Sequence, residues 1–97
     1  MKLHKYYVYI LTNKSKTVLY IGVTNDLEQR IDQHKTDIEI GNNTFVAKYK
    51  CKYLLYYEEH QWIQKAIERE KEIKGWRREK KLELIKQMNP NLEFLNE

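Results

Sequence analysis

Two β-prone runs set close together near the start of the chain restrict its fold more than any other feature. Tyr6-Tyr7-Val8-Tyr9-Ile10-Leu11 is β-branched or aromatic almost throughout, and Thr17-Val18-Leu19-Tyr20-Ile21 repeats that character before Gly22. Such side chains crowd the turn of a helix but fit a pleated surface. The connection, Asn13-Lys14-Ser15-Lys16, is short, polar and turn-forming. An antiparallel hairpin is the expected result, with its second strand stopping at Gly22.

Beyond the hairpin the period changes. Asn25 and Glu28 have the spacing of a capping box, and Leu27, Arg30, Ile31, His34 and Ile38 follow at helical intervals, which predicts a helix over about 26–35. Gly41-Asn42-Asn43 reads as a loop. Lys48-Tyr49-Lys50-Cys51-Lys52-Tyr53 alternates between basic and aromatic or apolar residues, and with residues 54–58 it predicts a third strand. On a strand, Lys48, Lys50 and Lys52 share one face. From Gln61 onward the pattern is helical, first through Trp62, Ile63, Ala66, Ile67 and Ile73, then through Leu82, Ile85 and Met88. Gly75 separates the two helices and Asn89-Pro90 closes the second.

The expected class is therefore α/β (α+β), a small three-stranded antiparallel sheet flanked by helices in the order β-β-α-β-α-α. The 97 residues suit one domain, 1–97, and a chain of that size buries roughly two-thirds of its unfolded surface. A 12% aromatic content, eight tyrosines included, sets the chain apart from disordered sequences. No apolar run approaches the roughly 18 residues that cross a bilayer, and residues 1–5 lead straight into the first strand without a secretory leader. With Cys51 as its one cysteine the chain forms no internal disulfide, so a cytoplasmic protein without a membrane partner is expected.

Charged residues then occur where a core is expected. Ile63, Ala66, Ile67 and Ile73 surround Glu70 at spacings of 7, 4, 3 and 3 residues, which puts this glutamate inside an apolar helix stripe. An ionised carboxylate withdrawn from water needs a partner, a proton or a metal ion. One reading pairs Glu70 with Lys74 or with an arginine from another element; the other makes it the acidic floor of a cleft. Arg30 and His34 repeat the pattern beside Leu27 and Ile31, either as a snorkelling arginine with a satisfied histidine or as part of the same cleft.

Basic residues cluster as well. Lys71, Lys74, Arg77, Arg78, Lys80 and Lys81 stand against Glu72 and Glu79 in one tract, and Lys48, Lys50 and Lys52 add a second, in a chain of net charge +4. Basic residues interleaved with Tyr and Trp suit a polyphosphate backbone and its bases, although a solvated helix face has the same composition.

Tyr7-Val8-Tyr9 followed by Tyr20-Ile21-Gly22, with Tyr9 and Tyr20 eleven residues apart, resembles the paired motif of the GIY-YIG nuclease superfamily. The resemblance continues through Thr24-Asn25-Asp26-Leu27, Arg30, His34, Phe45, Lys48-Tyr49 and residues 54–58. It ends in Arg69-Glu70, Ile73-Lys74-Gly75-Trp76 and Asn89-Pro90, a pattern similar to the small stand-alone bacterial subgroup related to the nuclease domain of the UvrC excision-repair protein. Tyr7 replaces the glycine of the first motif, and Val23 stands where UvrC-type domains carry a lysine.

The resemblance implies a phosphodiester hydrolase acting on DNA, in repair or recombination, with Mg²⁺ or Mn²⁺. It makes Glu70 the metal ligand, Arg30 the contact to the scissile phosphate, and Tyr9 or Tyr20, with His34, the group that orients or deprotonates the attacking water. A phenol's reference pKa near 10 means that it needs help to act as a base at neutral pH. Two other classes remain open: a non-catalytic nucleic-acid-binding module of the same fold, and an adaptor whose basic helix docks on an acidic protein. No residue pattern reads as a base code or sets RNA aside.

Overall fold

The structure, a computed structural model, describes residues 5–97; the leader-free reading of the first residues concerns positions 1–4 and lies outside that range. The elements are β1 (Tyr6–Thr12), β2 (Leu19–Thr24), α1 (Leu27–Ile40), α2 (Phe45–Tyr49), β3 (Tyr53–His60), α3 (Ile63–Lys74) and α4 (Arg78–Met88). They form the expected three-stranded antiparallel sheet, ordered β2-β1-β3, with helices on both faces and one short helix, α2, added to the expected order.

Central placement explains why β1 is apolar on both sides. Val8 and Ile10 face a core shared with Ile21, Tyr56, Ala66, Ile73, Leu84 and Ile85 under α3 and α4. Tyr9 and Leu11 point the other way, into a core with Ile31, Val46, Cys51 and Leu54 under α1 and α2. In the β1–β3 ladder Ile10 pairs with Tyr56 but Leu11 pairs with Leu54, so Leu55 is an extra residue in β3. Such a bulge reverses the facing of the strand on either side of it, and here it sends Leu54 into the α1–α2 core.

The structure differs from the expectations in three places. The strand β2 does not stop at Gly22 but runs through it to Thr24, because the missing side chain is filled by a neighbour's ring rather than by a turn. Asp26, not Asn25, caps α1: its carboxylate accepts from the Gln29 amide at 3.1 Å, and the helix continues past residue 35 to Ile40. Gly41 stops it with φ 73°, in the left-handed conformation that glycine adopts without Cβ crowding.

The third correction concerns Lys48, Lys50 and Lys52, which do not share a strand face. Thr44 accepts from the Ala47 amide and caps α2, so residues 45–49 wind into a turn that buries Val46. Lys50 then closes the helix at φ 55°, the Cys51 amide donates to Val46 O at 3.0 Å, and β3 begins only at Tyr53. Alternating composition yields here to a capping side chain and a buried Val46–Cys51 pair.

Past Pro90 the chain folds back on the bulge. The buried Asn89 side chain donates to Leu55 O and Glu93 O and accepts from the Glu93 amide. Asn96 accepts from the Leu54 amide and donates to Lys52 O. No helix among the described residues is long and apolar enough to cross a membrane.

Candidate active site

Tyr9 enters the α1–α2 core from the central strand and lies across β2 at Gly22, its partner in the ladder. A Cβ at Gly22 would stand 2.4 Å from Tyr9 Oη, closer than any real contact, so glycine is the residue that leaves the phenol its place. The hydroxyl meets His34 Nε2 at 2.9 Å, with both residues buried. Tyr20, the neighbouring inward residue of β2, presents its ring edge-on to His34 with centroids 5.5 Å apart, and its ring centre lies 6.2 Å from that of Tyr9. One turn before His34 on α1, Arg30 sets its guanidinium beside the phenols of Tyr9 and Tyr20 and bonds Gln33 Oε1 at 2.9 Å.

Burial dominates the protonation of this group. It pushes the Tyr9 phenol up to about 12, against the opposing pull of Arg30, so the phenolate is scarce at neutral pH. Burial also lowers His34, helped by the positive charge of Arg30, and His34 is therefore a neutral imidazole under the same conditions. A neutral imidazole hydrogen-bonded to a phenol can hold the shared proton on either side: Tyr9 donates to Nε2 in one tautomer and accepts from it in the other. Arg30 is held charged, with the contact to Tyr9 as the largest cause.

Glu70 lies apart from this group in the hydrogen-bond network. Its side chain, 16% exposed, pairs with Lys74 Nζ at 3.3 Å, and among the described residues it has no hydrogen bond to Tyr9, Tyr20, Arg30 or His34. The stripe around it is buried at Ala66 and Ile73 but open at Ile63 and Ile67. Among the described residues no three His, Cys, Asp or Glu side chains converge as a cage for a metal. A lone carboxylate suits a hydrated hard cation that keeps most of its water, and does not suit a dehydrated one.

The basic residues divide by location. Lys71 and Lys74 end α3, whereas Arg77 precedes α4. Arg78 is engaged in a structural tie, donating to the carbonyls of Lys16 and Thr17 in the β1–β2 connection. Lys80 lies over the Trp76 ring at 4.3 Å, and Lys81 is half-buried.

Two contacts of residues quoted in the motif, those of Phe45 and Glu58, are not visible in the sequence. Phe45 stacks on Tyr20 with ring centres 6.0 Å apart and extends the aromatic group toward the surface, a contact between α2 and β2 that no local spacing encodes. Glu58 is the hub of a second network in which it accepts from Tyr56, pairs with His60 and receives Arg69 Nε on both oxygens. Arg69 also pairs with Glu72 and covers the Trp76 ring, so the Arg69-Glu70 and Gly75-Trp76 segments belong to one brace between β3 and α3. Although burial pushes the Glu58 carboxyl up, the bonds from Tyr56, His60 and Arg69 outweigh it and hold the group below its ordinary value. Cys51 is buried with its thiol pushed up to about 11, which leaves it an inert core residue.

Comparison with known proteins gives a consistent answer. The family model described as the GIY-YIG catalytic domain matches residues 5–83. The UPF0213 protein SSP2268 of Staphylococcus saprophyticus is 39% identical over 85 residues, spanning 84% of this chain and 94% of that one. A UPF0213 protein of Syntrophus aciditrophicus is 36% identical over 94 residues, spanning 89% and 94%. The solution NMR structure of the UPF0213 protein BH0048 of Bacillus halodurans covers 90% of this chain and 88% of its own, with a TM-score of 0.57 and 25% identity.

Proposed function

The chain belongs to the family of GIY-YIG catalytic domains, and on that premise we propose that it is an endonuclease that hydrolyses DNA phosphodiester bonds with Mg²⁺ or Mn²⁺. The observation that carries this reading is the buried hydrogen bond between Tyr9 and His34, with Arg30 against the same phenol. A service in DNA repair or recombination belongs to the same proposal.

The chemistry follows from the protonation states. A phenol pushed up to about 12 is a poor free base, but it need not ionise if its proton moves to His34 as it takes one from water. In this scheme the Tyr9 hydroxyl orients the attacking water, and His34 Nε2 is the final proton acceptor. Tyr20 stands edge-on to the imidazole and holds its orientation. Arg30, permanently charged, binds the scissile phosphate and stabilises the negative charge that develops on it. Glu70 would hold the cation, with Lys74 as its counter-charge in the cation's absence. The cation, when bound, neutralises phosphate charge and favours the displacement.

A binding module without turnover is the second reading, and the Glu70–Lys74 pair favours it, since the carboxylate already has a partner. The two are separated by incubating end-labelled duplex, single-stranded and branched DNA with Mg²⁺ or Mn²⁺ and the wild type, Glu70→Ala or Arg30→Ala. The expected result is metal-dependent cleavage by the wild type, reduced roughly a hundred- to thousandfold by Arg30→Ala with binding little changed. Glu70→Ala should be inactive yet folded, within about 1 kcal/mol of the wild type, because the pair it removes to an exposed Lys74 is offset by relieving a carboxylate largely withdrawn from water. Binding with no product from any protein would establish the second reading.

A further inference from the structure

The aromatic group does not end at the candidate active site. Tyr20 stacks on Phe45, and Phe45 lies against Tyr49 with ring centres 4.7 Å apart. Phe45 is 48% exposed and Tyr49 39% exposed, large rings left in water at the open end of a series that begins at buried Tyr9. Tyr49 also lines a groove of about 560 Å³ between the β1–β2 connection and the link from α2 to β3. Its other walls include Tyr53 and the lysines Lys14, Lys50 and Lys52, and no acidic residue lines it. Among the described residues none of these lysines forms an ion pair, whereas elsewhere Lys5, Lys65 and Lys74 all do.

The groove is also pre-formed. The Asn13 side chain accepts from the Thr17 and Val18 amides and donates to Ser15 Oγ and Thr17 Oγ1, which fixes the connection that carries Lys14. Arg78 ties the far side of that connection to α4. On the opposite wall Lys50 is the left-handed cap of α2. Tyr53 is stacked on Phe94 and Lys48 lies over Tyr49, so what the site offers a base is the solvent-exposed part of the Phe45 and Tyr49 rings. A positive channel edged by partly exposed aromatic rings fits a chain of phosphates whose bases are free to stack, and base–aromatic stacking requires a base that has left its duplex.

We propose that this groove binds an unpaired strand of nucleic acid, with a base against Tyr49, next to the exposed Phe45 ring outside the groove, and phosphates on Lys14, Lys50 and Lys52, and that it delivers the strand to the Tyr9–His34 site. The delivery clause rests on the nuclease reading; the binding clause does not. The substrate is therefore single-stranded DNA, or the unpaired segment of a branched one, in preference to a continuous duplex.

The test measures binding in EDTA, where no cleavage occurs. Anisotropy with a labelled single-stranded oligonucleotide and its duplex gives affinities, and 2-aminopurine in the single strand reports stacking through its quenching. Tighter binding of the single strand is expected, with Tyr49→Ala weakening it about five- to hundredfold and relieving the quenching, and with the duplex little affected. Tyr49→Trp should restore both, which separates loss of a stacking face from loss of the fold. Lys14→Gln, at an exposed turn position, should reduce the slope of log affinity against log salt by about 0.7. Equal loss on both substrates, or no loss of quenching, would overturn the proposal even if the wild type cleaves DNA. Single-strand binding with these responses but without cleavage in Mg²⁺ or Mn²⁺ would uphold the groove and reject the nuclease reading.

Discussion

Burial of the Tyr9–His34 pair makes its protonation a property of the folded state. Burial first, and the Arg30 charge second, hold His34 below its unfolded value near 6.5, against the opposing pull of Asp37. As pH falls below about 6.5 the unfolded chain takes up a proton that the folded chain resists, so stability drops on the acid side and is regained above it. Melting temperatures measured from pH 8 to pH 5 should therefore fall for the wild type and fall less steeply for His34→Gln; parallel slopes would show that His34 does not titrate against the fold. Much of this residue group was legible in the sequence, since Tyr9, Tyr20, Arg30 and His34 were singled out by motif and spacing. Gly22 was legible as a motif residue only. That it makes room for the Tyr9 ring depends on two strands lying side by side, which no local pattern encodes.

Among the elements, β3 shows how local pattern and tertiary demand diverge. Alternation over 48–53 suggests a strand start, yet the Thr44 cap and the burial of Val46 and Cys51 turn residues 45–49 into α2. What remains of β3 carries the Leu55 bulge, whose carbonyl is served by Asn89 from beyond α4. Asn89→Ala would strand that carbonyl and the Glu93 backbone in a buried site, at a cost of about 2–3 kcal/mol. A lowered urea midpoint with unchanged m-value is the expected signature, and a loss under 0.5 kcal/mol would show that the tail, not this amide, satisfies the bulge. Asn89-Pro90 stops α4, as the sequence pattern predicts; its second duty, bonding across 34 residues of sequence, is visible only in three dimensions. The Glu58–Arg69 brace is of the same kind, because an i, i+3 pair such as Arg69–Glu72 can be read from spacing but a partner on another element cannot.

For the molecule as a whole, one Tyr9–His34–Arg30 group per chain bears on the product it makes. If each copy acts alone, supercoiled plasmid should yield nicked circles first and linear molecules only later; linear product at the outset would show two copies acting together, and agarose gels of a time course distinguish these outcomes. Net charge of +4 is modest, and its use lies in distribution: among the described residues the lysines that line the groove have no carboxylate partner, whereas Lys74 and Arg69 are consumed in pairs. Strand runs, helix periods, the Gly75 break and the motif residues were all determined by the sequence itself, because each depends on side chains within a few positions of one another. Tertiary structure alone decided that α2 replaces a strand start, that β3 reverses its facing at Leu55, that Glu58 rather than Glu70 receives an arginine, and that Phe45 and Tyr49 prolong the tyrosine series to a basic groove. Apart from the local Thr44 cap on α2 and the Phe45–Tyr49 contact within it, each of these joins residues that only the closing of the sheet and its helix layers brings within contact, and contact over such separations is set by packing and not by local preference.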